Sequence, residues 1–332
     1  MLPCKAPMTV FILRRLMQSA VVLVAMSALV FLGVFAIGNP VDILISPQAD
    51  QAEIARATAA LGLDKPLWQQ YFVFLENALH GNLGNSFVFN EPSLKLIVER
   101  LPATLELAFS ALLIAIVLGL PLGLYSGLKP ETTLSRVIGA GSILGFSLPT
   151  FWVGIMLIMV FAVELGWLPS TGRGATVRLL GVDVSFLTWD GLKHLLLPAI
   201  NLSLSRIALV IRLGASGTRE VMHMDYVKFA RAKGLRPRRV VLVHVLGNIL
   251  IPIVTVLGLE TGAVIAFSVV TETIFAWRGI GRLIVSSITV LDRPVIVAYL
   301  MMTVFLVILI NLLVDILYSV LDPRVRYGEA RA

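Results

Sequence analysis

Glu106, Glu164, Arg206, Glu260 and Asp315 are ionisable side chains set inside long apolar runs. In a hydrocarbon environment such a group costs roughly 3 kcal/mol unless it is solvated or paired, so each one asks for a reason. Arg206 sits deep in its run and Glu260 deep in the next. They are candidates to line a water-filled pathway or to pair with each other, with snorkelling to the interface as the competing reading. Glu106 and Glu164 lie near the ends of their runs and are expected to reach the interface, as is Asp315, which lies close to the end of the last run. Other chemistries lack their residues. There is no Gly-rich phosphate loop ending in Lys-Ser/Thr, and no Gly-x-Ser-x-Gly elbow. His80, His194, His223 and His244 are far apart without ligand spacing, and the lone Cys4 excludes an intramolecular disulfide or a multi-cysteine metal site. The chain is therefore expected to be neither an enzyme nor a metal protein.

The segment that stands apart is Asp225-Tyr226-Val227-Lys228-Phe229-Ala230-Arg231-Ala232-Lys233-Gly234-Leu235, followed by Arg236-Pro237-Arg238-Arg239 and then Ile249-Leu250-Ile251-Pro252. It is basic, favours helix and lies between two apolar runs. Ala230, Ala232 and Gly234 alternate with Arg231 and Lys233, while Tyr226, Phe229 and Leu235 supply apolar contacts. A helix from about Thr218 should end near Gly234, because glycine continues a helix poorly and Pro237 has no N–H to donate. A short helix lying across a membrane face suits a groove on a partner, and its basic residues suit anionic headgroups. Equally, it reads as a positively charged inner loop and nothing more.

The elements that position these residues follow from composition. Of 332 residues, 58% are hydrophobic and only 14% charged, and the mean hydropathy is +0.91. A soluble domain carries about a quarter charged residues, so the chain reads as an all-α integral membrane protein. Six runs, at roughly 11–37, 102–127, 137–165, 195–216, 247–275 and 294–320, are long enough to cross about 30 Å of hydrocarbon as helices. In the first, the apolar part from Leu16 to Ile37 follows Arg14-Arg15 and is longer than a signal-peptide core, so it is taken as an uncleaved span. The net charge of +7 resides beside the spans rather than along a stripe with interleaved aromatics, which argues against nucleic-acid binding. Lys5, Arg14, Arg15, Lys129, Arg136, the cluster from Arg219 to Arg239, Arg324, Arg326 and Arg331 all fall on one side. The opposite loop, at about 38–100, has four basic residues against seven acidic. Both termini are thus expected in the cytoplasm. Within that outer loop, Gln51–Leu61 and Pro66–Leu79 read as short helices and Gly81–Ser86 as a turn. Gly119, Gly123 and Gly127, and likewise Gly258 and Gly262, are spaced for close helix packing. Pro121, Pro149 and Pro198 are expected to kink their helices.

The residues Asp225-Tyr226-Val227, Ala230-Arg231-Ala232-Lys233-Gly234-Leu235 and Ile249-Leu250-Ile251-Pro252 resemble the cytoplasmic coupling loop of bacterial ABC importer permeases. They are most similar to the dipeptide/oligopeptide/nickel permease subgroup. Lys228-Phe229-Ala230 stands where the generic loop has Glu-Ala-Ala, and 14 residues separate Gly234 from Ile249; both departures are similar to that subgroup. Leu61-Gly62-Leu63-Asp64-Lys65-Pro66-Leu67, Gln70-Tyr71 and Gly81-Asn82-Leu83-Gly84-Asn85-Ser86 resemble the subgroup's outer loop. Arg100-Leu101-Pro102-Ala103-Thr104-Leu105-Glu106-Leu107-Ala108, Arg14-Arg15-Leu16 and Leu321-Asp322-Pro323-Arg324-Val325-Arg326 also fit, so the resemblance spans nearly the whole chain.

This resemblance implies a single permease domain over 1–332 with the type I ABC importer permease fold, multi-pass in the bacterial inner membrane. The coupling loop would occupy about 217–246. It implies a second homologous permease, two ATP-binding subunits that carry ATP-Mg, and a periplasmic or extracellular solute-binding protein, with no cofactor in this chain. Tyr226, Ala230, Arg231, Ala232, Lys233, Gly234 and Leu235 would form the ATPase-coupling surface. Ala230 and Gly234 would make its close contacts, and Arg231 and Lys233 would serve as polar contacts or headgroup anchors. The resemblance does not extend to Arg206 and Glu260. The expected cargo is a short peptide, with nickel or glutathione as the alternative, and a stand-alone ion-driven transporter is the competing class.

Overall fold

The computed structural model describes residues 8–36, 50–60 and 64–321. Cys4, Lys5, the start of the outer loop, Leu61-Gly62-Leu63 and the segment after Leu321 lie outside the described residues. Helices dominate. In chain order they are α1 (Met8–Ala36), α2 (Gln51–Ala60), α3 (Leu67–Leu79), α4 (Ser93–Leu128), α5 (Thr133–Ser147) and α6 (Thr150–Leu157), the last running on as a π-helical turn, Ile158–Glu164. After a two-stranded hairpin come α7 (Trp189–Met222), α8 (Asp225–Ala232) and α9 (Pro237–Arg239). A second π-helical segment (Val240–Val245), α10 (Leu246–Ile274), α11 (Ile280–Thr289) and α12 (Arg293–Leu321) complete the chain. The short helices expected in the outer loop are α2 and α3.

Among the described residues, five helical stretches are long and apolar enough to span a membrane: Leu13–Gly33, Ser93–Leu128, Trp189–Met222, Pro237–Ile274 and Arg293–Ile316. The expected third span is not one rod. α5 and α6 meet at a bend of 106°. The cause is local: a residue before proline is pushed out of the helical region, and Leu148 accordingly sits at φ −75°, ψ 134°. Pro149 then opens α6 at φ −61°, the conformation its ring imposes, and the helix restarts in a new direction. α4 and α7 run through Pro121 and Pro198 without a break.

Another difference lies at the basic segment. Thr218 belongs to the spanning helix α7, which ends at Met222, and the short helix α8 starts afresh at Asp225. The strands, Val177–Leu179 and Val182–Val184, pair antiparallel with Val177 opposite Val184. Leu180 (φ 50°) and Gly181 (φ 86°) form their left-handed turn, whose twist suits a two-residue hairpin.

Two compact units can be distinguished. One holds Ala103–Arg278 with the end of α12 from Leu309, and the other Ala6–Pro102 with Gly279–Ile308. The core of the first is drawn from α4, α7 and α10, with Leu107, Ala111, Leu202, Val210, Ile253 and Ile265 buried together. The glycines of α4 set how close its neighbour comes. A Cβ on Gly119 would lie 2.8 Å from Val210 Cβ, and one on Gly123 would lie 2.9 Å from the Ile211 carbonyl oxygen. These glycines are a packing ridge, as their spacing implies. In the second unit, Phe31 of α1 meets Tyr71 of α3 edge to face at 5.4 Å, and Ser27 Oγ lies 2.8 Å from the Tyr71 hydroxyl. There too, Ser86 Oγ donates to Asp292 Oδ2 at 2.5 Å and the Phe87 amide to Oδ1 at 3.1 Å, tying the turn after α3 to the start of α12.

Candidate functional site

α8 is amphipathic over barely two turns. Val227 and Ala230 face inward and pack with Val240, joined at the edge by Val221, Met222 and Leu235. The adjoining ridge is open: Tyr226 is 42% exposed and Phe229 61% exposed, with Lys233 Nζ 4.6 Å from the centre of the Phe229 ring. Tyr226, Phe229 and Lys233 are spaced i, i+3 and i+7, which sets them along one helix face. Asp225 in the first turn and Arg231 in the last complement the helix dipole. The Lys228 ammonium, 2.9 Å from Asp225 Oδ1, holds the Asp225 carboxyl below its ordinary range by hydrogen bond and charge. Partial burial pushes the Tyr226 phenol upward. Arg231 Nη2 leans on Met222 Sδ at 3.4 Å, and Arg231 and Ala232 are both exposed.

The end of α8 explains its glycine. The Gly234 amide donates to the Arg231 carbonyl at 2.9 Å and the Leu235 amide to the Ala230 carbonyl at 3.3 Å. This is the pair of bonds that closes a helix through a left-handed residue. Gly234 supplies that residue at φ +76°, with open space where a side chain would be. Leu235 then folds back onto the Val227–Ala230–Val240 cluster. Ala230, expected at a partner contact, is thus turned inward at 5% exposure. The apolar side chains that face outward are Tyr226 and Phe229. The alternation in the sequence marks the segment, but three-dimensional phase decides which face is free.

Arg206 on α7 and Glu260 on α10 come together, Nη2 to Oε2, at 3.4 Å. That is longer than the 2.7–2.9 Å of a well-formed charge-assisted hydrogen bond. Arg206 Nη1 donates to Ser205 Oγ at 2.7 Å, while Nε is buried without a partner among the described residues. Glu260 keeps 38% of its side chain exposed. The pair is therefore loose and has a donor to spare.

Glu106 does not reach for the interface. Its Oε2 accepts from Arg173 Nε at 3.1 Å and Nη2 at 2.5 Å, and its Oε1 accepts from the Ser185 amide, the Ser185 hydroxyl and the Phe186 amide at 2.7, 2.7 and 2.8 Å. Arg173 also donates to the Asp183 carbonyl at 2.6 Å. Five donors and a counter-charge satisfy the carboxylate, so burial beats snorkelling here, and the loop carrying the hairpin is fastened to α4. A second acid, Glu272 on α10, is fully buried and accepts from Thr104 Oγ1 at 2.6 Å and Ser268 Oγ at 3.1 Å. It is not singled out from the sequence, although the signal, an acid near the end of an apolar run, is the same one that marks Glu106 and Glu164. Among the described residues, no group of three or more His, Cys, Asp or Glu side chains is placed to hold a metal ion.

Residues 119–327 match the family described as binding-protein-dependent transport system inner membrane component, and residues 8–108 match its N-terminal membrane component. The chain belongs to this family. The di/tripeptide transport system permease protein DppB of Pseudomonas aeruginosa (strain UCBPP-PA14) is 41% identical over 303 residues, 87% of this chain and 90% of that protein. The oligopeptide transport system permease protein AppB of Bacillus subtilis (strain 168) is 36% identical over 322 residues, 96% of this chain and all of that protein. Among solved structures, the MetNI methionine ABC transporter in an inward-facing conformation is similar in fold, with a TM-score of 0.52 at 18% identity, covering 68% of this chain and 96% of the other. A permease of this binding-protein-dependent family has the type I ABC importer fold, sits in the inner membrane as a multi-pass protein and is a transport subunit rather than an enzyme. That membership also removes the stand-alone ion-driven transporter from consideration.

Proposed function

We propose that this permease forms half of a translocation pathway for short peptides, paired with a second homologous permease and driven by two ATP-binding subunits that carry ATP-Mg. A solute-binding protein on the outer side delivers the peptide. The observation that carries the cargo assignment is the likeness, over 87% of the chain, to a permease named for di- and tripeptides. With both termini in the cytoplasm, α8 lies on the inner side, where its outer ridge of Tyr226, Phe229 and Lys233 seats in a groove of an ATP-binding subunit, flanked by Arg231 and Ala232. The inward-packed Ala230 and Leu235 and the left-handed Gly234 hold the ridge rigid, so that a push on α8 is delivered to α7, only two residues away. ATP-driven closure of the ATPases then shifts a two-state equilibrium from inward-open to outward-open. The loose Arg206–Glu260 pair lines the pathway, where the spare guanidinium donor suits a peptide carboxylate and the half-exposed Glu260 suits a peptide ammonium.

The test is uptake of a labelled dipeptide by cells that carry the intact system as their one peptide importer. Uptake is expected to persist when the ion gradient is collapsed with ATP maintained, and to fall at least about tenfold in Arg206→Gln if the pair contacts the peptide, since one charge-assisted hydrogen bond is worth roughly 1.5–3 kcal/mol. Uptake that disappears with the gradient, or a system that ignores peptides, would refute the reading.

A further inference from the structure

A cavity of about 290 Å³ lies where α4, α5 and α7 meet, at the end of the first unit that carries α8. Its lining includes Arg136, Arg212 and Arg219 together with Ser126, Ser135 and Ser142. Among the described residues no carboxylate lines it, and none of the three arginines is in an ion pair. Three unneutralised guanidiniums around one concavity form a site for an anion with several oxygens.

The hydroxyls are not equivalent. Ser135 Oγ already donates to the Lys129 carbonyl at 2.6 Å and Ser142 Oγ to the Gly139 carbonyl at 2.8 Å. Ser126, 8% exposed, lines the cavity with its Oγ buried and without a hydrogen-bond partner among the described residues. A buried hydroxyl left unpaired is unfavourable, and an anion's oxygen would supply the missing partner. The surroundings say where that anion comes from. Leu134, Val137, Leu144 and Phe146 of α5 are exposed apolar side chains beside the cavity, and the Arg212 guanidinium lies 4.8 Å from the centre of the Phe146 ring. A phosphate held by the arginines can thus remain joined to acyl chains lying along α5, at the depth where anionic headgroups meet basic residues.

We propose that this cavity binds the phosphate of an anionic phospholipid headgroup, clamping α4, α5 and α7 together beside the coupling helix. The chemistry shared with a free phosphate ion is the tetrahedral oxyanion; the flanking apolar surface selects the lipid. This inference stands apart from the cargo and coupling assignments, since it needs only that the ends of α4 and α7 lie at a membrane surface.

Native mass spectrometry of the intact importer, released from nanodiscs containing equal phosphatidylglycerol and phosphatidylcholine, tests it. Retained phosphatidylglycerol is expected to exceed phosphatidylcholine, to drop about tenfold or more in Arg136→Gln with Arg212→Gln, and to drop a few-fold in Ser126→Ala. Arg212→Lys, which keeps the charge, reports whether the fold is intact by restoring part of the retention. Equal retention of the two lipids, or retention unchanged in the double variant, would overturn the proposal. So would displacement of the lipid by inorganic phosphate at low millimolar concentration, which would make the occupant a soluble ion.

Discussion

Glu106 is held in an apolar helix by arrangement rather than by depth. Its two oxygens take five donor hydrogens, two from Arg173 and three from Ser185 and Phe186, and both side chains of the ion pair are mostly shielded. Removing one partner of such a pair strands the other charge, at a cost of roughly 3–5 kcal/mol. Glu106→Ala should therefore lower the thermal stability of the purified importer sharply and loosen the hairpin loop. Glu106→Gln, which keeps several acceptor contacts, should cost less. An unchanged melting temperature in Glu106→Ala, read by tryptophan fluorescence, would show the network to be decorative. This cluster was not legible beforehand, because Glu106 and Arg173 are joined across a loop whose path the sequence does not reveal. The opposite holds for Gly234. A glycine two residues past the helix and three before a proline is a recognisable stop, and the left-handed φ of +76° is what that pattern encodes. Ala230 shows the limit of the same reasoning. Small residues alternating with cations mark a helix suited to close contact, but only the packing of Val240 from the next helix reveals that Ala230 is spent on the protein's own interior.

At the scale of elements, the length and hydropathy of the apolar runs mark the spans, and proline chemistry explains where one of them is interrupted. Length and hydropathy cannot distinguish a straight span of 137–165 from two helices bent by 106°. Only the Leu148-Pro149 step carries that information, and Pro121 and Pro198 show that the same residue type is also tolerated inside an unbroken helix. The glycine ridge of α4 is the element on which the first unit depends. A side chain at Gly123 would meet the Ile211 carbonyl oxygen at 2.9 Å and Gly214 Cα at 3.2 Å, both backbone atoms that cannot swing aside. Gly123→Leu should force α4 and α7 apart and reduce the folded yield severely, the overpacking cost being about 1–3 kcal/mol or more. Gly139 and Gly141 on α5 have open space where a Cβ would go, so Gly139→Ala and Gly141→Ala should be tolerated. Comparable yields for Gly123→Leu and Gly139→Ala would contradict close packing along this ridge.

Across the whole molecule, an importer permease has to convert movement at one membrane face into a change of access in its interior. This chain carries a short, rigidly capped helix two residues beyond one of its longest spans, and that span also bears Arg206. In the proposed coupling, the ridge of Tyr226 and Phe229, rather than Ala230, is what the ATP-binding subunit grips. The single native cysteine, Cys4, makes the claim directly testable. In a Cys4→Ser background, Phe229→Cys and Ala230→Cys are introduced separately into the intact importer and treated with a short thiol-to-amine cross-linker, with and without ATP. Phe229→Cys is expected to join this chain to the ATP-binding subunit, with a yield that changes on adding ATP, and Ala230→Cys to give little product in either state. Efficient cross-linking from Ala230→Cys with none from Phe229→Cys would contradict it.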